Sequence, residues 1–243
     1  RAITAMEITD NFFATAACDQ ETPEACVETN LVALYDFAAG SGSTVQDVSG
    51  FGSPLNLSIQ HPANTQWIAG GGLSINNATT IQSSGAATKI INACKATNEI
   101  TIEAWVRPNN LTQNGPARIA TISKDTGNRN TTLGQDGNDY VARLRTTTTN
   151  NNGMPNLTAH DDAQTTLQHV VFTRDSNGNT RMYVNGVLVH GGTRTGNFSN
   201  WNNDYKFALA NELTNDRAWK GTYYRVAVYN RALNSAQVNQ NYF

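Results

Sequence analysis

Ile100-Thr101-Ile102-Glu103-Ala104-Trp105-Val106-Arg107-Pro108 alternates strictly: Ile100, Ile102, Ala104 and Val106 fall on one face of an extended chain, and Thr101, Glu103, Trp105 and Arg107 on the other. The first set predicts a central β-strand with one face in a core. Pro108 has no N–H to give to a ladder and Asn109-Asn110 suits a turn, so the strand stops there. The second face carries an indole and two charges, which makes Trp105 the first candidate for contact with a ligand.

Strands continue in both directions. Upstream, Leu31 to Phe37 leads into a loop containing Gly40, Gly42, Asp47 and Gly50, and Trp67, Gly70 to Gly72 and Leu73-Ser74-Ile75 follow. A polar stretch, Asn92 to Asn98, enters the central strand. Downstream, Arg118 to Ser123, Asn128 to Gln135 and Tyr140 to Thr146 read as strands, with Asp136-Gly137 as a turn. Gln168 to Arg174 and Thr180 to Val184 come next, and Asn185-Gly186 predicts a type I′ hairpin returning through Val187-Leu188-Val189. Tyr205 to Ala210 and Tyr223 to Tyr229 close the series. Asn234, with Gln237 three residues on, is the one convincing helix start.

Composition agrees with an all-β reading. The chain holds 31 Asn, 30 Thr and 12 Ser, and only 15% of it is charged, so its polarity comes from amides and hydroxyls that favour turns and strands. A net charge of −2 with no basic run argues against nucleic acid, and no apolar run is long enough for membrane insertion. No signal peptide stands at the Arg1 end, so the chain reads as mature or trimmed. Residues 1–30 differ from the rest: Ala2, Thr4, Met6 and Ile8 alternate with Ile3, Ala5, Glu7 and Thr9, and Phe12-Phe13 follow. This is an extended N-terminal arm, either an edge strand of the same domain or a strand added to a neighbouring copy. A disulfide between Cys18 and Cys26 is the expected pairing in it, with Cys94 buried, free or the partner of one of them.

Several of these phrases are shared with one family. The run ending Ala104-Trp105-Val106-Arg107-Pro108, the opening Tyr35-Asp36-Phe37 with Asp47-Val48-Ser49-Gly50, the Tyr183-Val184-Asn185-Gly186 hairpin and the ending Val226 to Asn234 closely resemble laminin-G-like domains of the concanavalin A-like jelly-roll superfamily, of the bacterial secreted type. The resemblance covers about 31–239. It implies two antiparallel sheets packed face to face, a β-sandwich over 31–243 with the arm outside it. It also points to Asp47 as a ligand of a structural calcium ion, with Asp36 or Glu212 contributing, although Tyr223-Tyr224-Arg225 stands where the family usually carries its second acids.

The fold hosts lectins, glycanases, lyases and adhesion modules, so function must come from a site. Glucanases of the superfamily place paired carboxylates on one strand, and nothing here matches; Glu99 and Glu103 share a face but stand some 13 Å apart at about 3.3 Å per residue. A lyase would need a Tyr or His base with an Arg, Gln or Asn, for which Arg143, Arg145, Gln135, His169 and Tyr183 have the right types. No zinc spacing or nucleophile elbow is present. A sugar site would draw on Trp105, on Arg143 and Arg145, and on the loop holding Glu212, Asp216, Arg217 and Trp219, which combines an aromatic face with planar polar groups. The expected function is a secreted, non-catalytic carbohydrate-binding or adhesion module at the cell surface or outside the cell, binding a polysaccharide or cell-surface glycan. The alternatives are a subunit that self-assembles into an oligomer or filament through residues 1–30, and a polysaccharide lyase.

Overall fold

A computed structural model describes residues 26–243. In chain order its strands are β1 (Leu31–Tyr35), β2 (Thr44–Val45), β3 (Leu57–Ile59), β4 (Thr65–Trp67), β5 (Leu73–Ile75), β6 (Ile81–Ser83), β7 (Ile100–Pro108) and β8 (Ala117–Asp125). They continue with β9 (Asn128–Asp136), β10 (Asp139–Leu144), β11 (Leu157–Ala159), β12 (Gln168–Arg174), β13 (Asn179–Val184), β14 (Val187–Thr193), β15 (Lys206–Leu209) and β16 (Gly221–Tyr229). Two helices, α1 (Thr88–Thr97) and α2 (Ser235–Tyr242), complete the elements used below.

The strands form two antiparallel sheets of eight. Sheet I runs β14-β13-β12-β7-β16-β5-β4, with β1 also paired to β16, and sheet II runs β11-β10-β9-β8-β15-β6-β3-β2. The central strand inferred from its alternation is β7, held between β12 and β16 along its length. Ile102, Ala104 and Val106 point inward with Val170, Phe172 and Val226, and they meet Ile119, Ile122, Leu133, Ala142 and Phe207 of sheet II. This is a jelly-roll β-sandwich whose core lies between the sheets. The Asn185-Gly186 turn has φ of 51° and 78°, the positive pair that a type I′ hairpin demands.

Two findings differ from the sequence reading. The stretch entering β7 is the helix α1, whose Ile90, Ile91 and Cys94 are buried and which ends at Asn98 in the left-handed conformation, φ 58°. Its start, Ala87, gives no side-chain cap, so no N-terminal signal marked it. Cys94 is a buried free thiol, raised by burial well above the ordinary range of a cysteine. Residues 1–25 of the arm read over 1–30, Cys18 included, lie outside the described residues.

The second difference decides where a site can be. Asn234 and Gln237 make the expected reciprocal cap, with Gln237 N donating to Asn234 Oδ1 at 3.0 Å and Asn234 N to Gln237 Oε1 at 3.1 Å. The helix they start, α2, lies against the outer face of sheet I: Leu233 and Val238 pack with Val171, Tyr183, Ala227 and Tyr229 in a second, smaller apolar cluster. One outer face of the sandwich is therefore roofed.

Candidate functional site

The roofed face holds Trp105. Its side chain is 5% exposed, stacked on His169 at 4.7 Å and on Tyr242 of α2 at 5.7 Å. Glu103 beside it is fully buried, 3.2 Å from His169 Nε2, and accepts a 2.7 Å bond from Asn241 Nδ2. Burial alone would raise the Glu103 carboxyl, but His169, Arg225 and Asn241 outweigh it and hold the group below its usual value. Trp105 and Glu103 thus anchor α2 to sheet I, and the expected ligand contact through Trp105 is replaced by an internal one.

The other outer face belongs to sheet II, and most of its polar side chains are buried too. There Arg118, Thr121 and Ser123 of β8, Arg129 and Thr132 of β9 and Arg143 of β10 share a side opposite Ile122, Leu133 and Ala142. Thr121 and Thr132 hydroxyls meet at 2.7 Å across the register Thr121–Thr132, and Thr132 lies opposite Arg143. The loop after β15 folds over this surface. Arg118 N donates to Arg217 O at 3.0 Å, and Asn211 Oδ1 accepts from Glu212 N and Arg217 N at 2.9 Å each. That placement brings the Glu212 carboxylate onto Arg118 Nε at 2.9 Å, with the Ser123 hydroxyl donating to its other oxygen.

Charges of both signs meet on this face: Arg118, Arg129, Arg143 and Arg217 stand with Glu212, Asp216, Asp125 and Asp136. Burial above all pushes Arg129 down to about 9, with Arg118 and Arg143 adding to it, and burial likewise lowers Arg143 and, against the opposing pull of Glu212, Arg118. Arg118 Nη2, Arg129 Nε and Asn211 Nδ2 are buried donors that no acceptor among the described residues meets. Arg143 reaches the rim, where Nε donates to Asn156 Oδ1 at 2.8 Å and Nη1 to Asn152 Oδ1 at 3.1 Å. Arg217 and Asp216, 3.6 Å apart, are over a third exposed. Next to Ser123 an open pocket of about 350 Å³, lined by Asn202, Asp204, Tyr205, Lys206 and Leu213, adjoins the cluster. Of the charged groups on this face, Arg143, Asp216 and Arg217 reach solvent, together with Asp125 and Asp136.

Of the residues singled out in the sequence, Arg143, Glu212, Asp216 and Arg217 come together here. Trp219 does not: it is wholly buried, donating from Nε1 to Gln135 Oε1 at 2.9 Å and packed on Tyr223. Arg145 lies past the end of β10, where its N–H donates to Asn130 O and its carbonyl accepts from Trp201 Nε1. The lyase set is divided, because His169 and Tyr183 lie under α2 while Arg143 is on the opposite side of the molecule, and Gln135 is engaged by Trp219, Gln113, Asn110 and Gly137.

Arg118 and Arg129 were not legible as site residues. Register shifts between Arg118 and Ala120, and again from Ile122 to Asp125, break the period of two that would have assigned them to a face.

The residues around Asp47 do not fit calcium. Its carboxylate already accepts from Leu34 N, Ser49 N and Leu55 N at 3.2, 3.1 and 2.8 Å, and from the Lys89 ammonium at 2.6 Å, so a side-chain cation occupies the position an ion would take. Asp36 is exposed and accepts from Ala38 N. Glu212 is bound up with Arg118.

A family model described as the Concanavalin A-like lectin/glucanases superfamily matches residues 78–239, more than half of the chain. No curated protein matches it. Among solved structures, the binding domain of botulinum neurotoxin DC, in complex with rat synaptotagmin II, superposes with a TM-score of 0.62 at 15% identity, over 88% of this chain and 51% of that one. A botulinum neurotoxin type C structure, whose cell entry is described as dependent on two ganglioside molecules, gives 0.61 at 15% identity over 87% and 50%. Trypanosoma rangeli sialidase in complex with sialic acid gives 0.65 at 17% identity over 97% and 37%. The chain thus spans about half or less of these proteins, and the likeness is one of fold.

Proposed function

We propose that this chain, which belongs to the Concanavalin A-like lectin/glucanases superfamily, is a secreted, non-catalytic carbohydrate-binding or adhesion module of lectin type that holds an acidic glycan on the outer face of sheet II. The observation that carries the reading is the rim of that face, where the partly exposed guanidiniums of Arg143 and Arg217 stand with the Asn152 and Asn156 carboxamides. A carboxylate or sulfate on a sugar chain would pair with these two guanidiniums, since charge-assisted bonds to Arg are about twice as strong as neutral ones. A neurotoxin whose cell entry depends on gangliosides and a sialidase holding sialic acid share this fold, which is in keeping with that class of ligand. The non-catalytic reading rests on Glu212: a carboxylate held by Arg118, Ser123 and the Leu213 N–H is not free to shuttle a proton.

Calorimetry against polyuronate, sialylated and sulfated glycans tests this. Arg143→Ala and Arg217→Ala each weaken binding roughly tenfold, in line with about 1.5 kcal/mol for a charge-assisted bond, and the affinity falls with added salt. Absence of binding to any acidic glycan defeats the reading, and release of shortened products would make the chain an enzyme.

A second reading, self-assembly, is favoured by the edge of sheet I. Strand β14 ends that sheet, and its Val187 and Leu188 are 63% and 52% exposed next to the exposed terminal Phe243. An apolar edge of this kind accepts a strand from another chain.

A further inference from the structure

At the end of the sandwich near β1 and β2, away from the arginine face, a second pocket of about 250 Å³ is lined by Asp36, Phe37, Ala38, Ala39, Val45, Gln46, Val48 and Trp67. Six of these present apolar atoms. The indole of Trp67 is fixed as one wall, because Nε1 donates to Gly42 O at 2.8 Å and so cannot turn away from the Gly-Ser-Gly loop. Phe37, at φ 52°, is a bulky residue in the left-handed region. Gly72, whose N–H donates to its carbonyl at 3.0 Å, and Tyr223, on which its ring stacks at 5.3 Å, hold it there. Its neighbours Asp36 and Ala38 line the mouth as a result. Strain of this sort collects at binding sites, where surrounding contacts enforce it.

The polar groups of this pocket are few and unused. Asp36 accepts only from Ala38 N through Oδ1, which leaves Oδ2 open, and the exposed Gln46 carboxamide bonds to nothing among the described residues. An apolar floor, a locked aromatic wall, one carboxylate and one amide at the mouth describe a ligand with a ring face to stack, an apolar group to insert and N–H and O–H groups to donate. A neutral hexose has the ring face and the hydroxyls but no apolar group.

We infer that the Trp67 pocket is a separate binding site for an N-acetylated hexosamine, with the ring stacked on Trp67, the acetamido methyl against the exposed Val48 and Ala39, and Asp36 and Gln46 bonding the ligand's N–H and hydroxyls. It needs no part of the arginine face. Two sites of different chemistry on one module, an acidic one and a neutral one, let a single copy engage a mixed glycan at two points.

Trp67 provides its own reporter. Of the four tryptophans, Trp105, Trp201 and Trp219 are buried, so a change in indole emission or in quenching by a small soluble quencher reads Trp67. The full chain is titrated with N-acetylglucosamine, glucosamine and glucose to roughly 50 mM, where a millimolar site saturates. The expected result is a saturable blue shift and loss of quenching with N-acetylglucosamine, at least fivefold weaker with the other two. Asp36→Ala and Gln46→Ala, both exposed and able to fold, weaken it roughly fivefold each. Arg143→Ala leaves it unchanged, which separates this site from the acidic one. No saturable response to N-acetylglucosamine, an equal response to glucose, or indifference to both substitutions overturns the assignment.

Discussion

Lys89 and Asp47 show how one side chain replaces an ion. The Asp47 carboxylate is half of a bond set that ties β1 to the loop after β2, through Leu34 N, Ser49 N and Leu55 N. Burial would raise its proton affinity, but Lys89 and these N–H donors bring it below 3.8. A depressed carboxyl contributes stability that is complete above its unfolded value and lost as the pH falls through its folded one. Lys89→Met should therefore cost about 2 kcal/mol at neutral pH, with the gap to the parent chain closing as the pH falls below 3.8. Excess chelator should leave the melting curve of the parent chain unmoved; a fall of several degrees in chelator would restore calcium to Asp47. The Arg118–Glu212 pair is the other residue-scale case, because both side chains are completely buried. Breaking such a pair by Glu212→Gln strands a guanidinium and costs about 3–5 kcal/mol, whereas Arg118→Met with Glu212→Leu together comes back close to the parent. Thermal unfolding of the three chains distinguishes an ion pair that stabilises from one that shapes the loop.

At the scale of elements, the alternation of β7 was legible because β7 is straight and paired on both sides, so the period of two holds along it. What covers its outer face was not, since the cover comes from α2, more than a hundred residues later in the chain. Trp105 and Glu103 read as ligand-facing for that reason. The same limit hid α1, which has neither a side-chain cap nor an acidic first turn, and hid the arginine face behind the slipped register of β8 and β9. The cap of α2, by contrast, lay in four consecutive residues and could be read directly. Its importance is measurable: Asn234→Ala should cost about 1 kcal/mol. Val238→Asp should cost several times that, because a charge would enter the cluster of Val171, Tyr183 and Tyr229. Val238→Asp should also raise Trp105 and His169 exposure, seen as a red shift in emission. If Val238→Asp melts with the parent chain, α2 is not the roof described.

For the whole molecule, the open question is what meets the edge of sheet I. The arm over residues 1–25 leads into Val27, whose N–H donates to Asn241 Oδ1 of α2 at 2.8 Å. The turn that starts β14 rests on that same helix: a Cβ on Gly186 would come within 2.6 Å of Asn239 and 3.1 Å of Tyr242. The root of the arm and the apolar edge at Val187 and Leu188 therefore lie on one side of one copy. With donor and acceptor side by side, two copies can exchange arms reciprocally and close as a symmetric pair, whereas a filament needs them at opposite ends. The alternating Ala2 to Ile8 and the Phe12-Phe13 pair supply the apolar side chains such a strand would bury, at about 1.5–3 kcal/mol each. On the self-assembly reading, the full chain should scatter light as a dimer at micromolar concentration, and a chain beginning at Glu28 as a monomer. Leu188→Lys in the full chain should give the monomer too, because it charges the accepting edge without touching the arm. Equal mass for the full and shortened chains would leave the edge to some other partner, and a ladder of higher masses would return the filament in place of the pair.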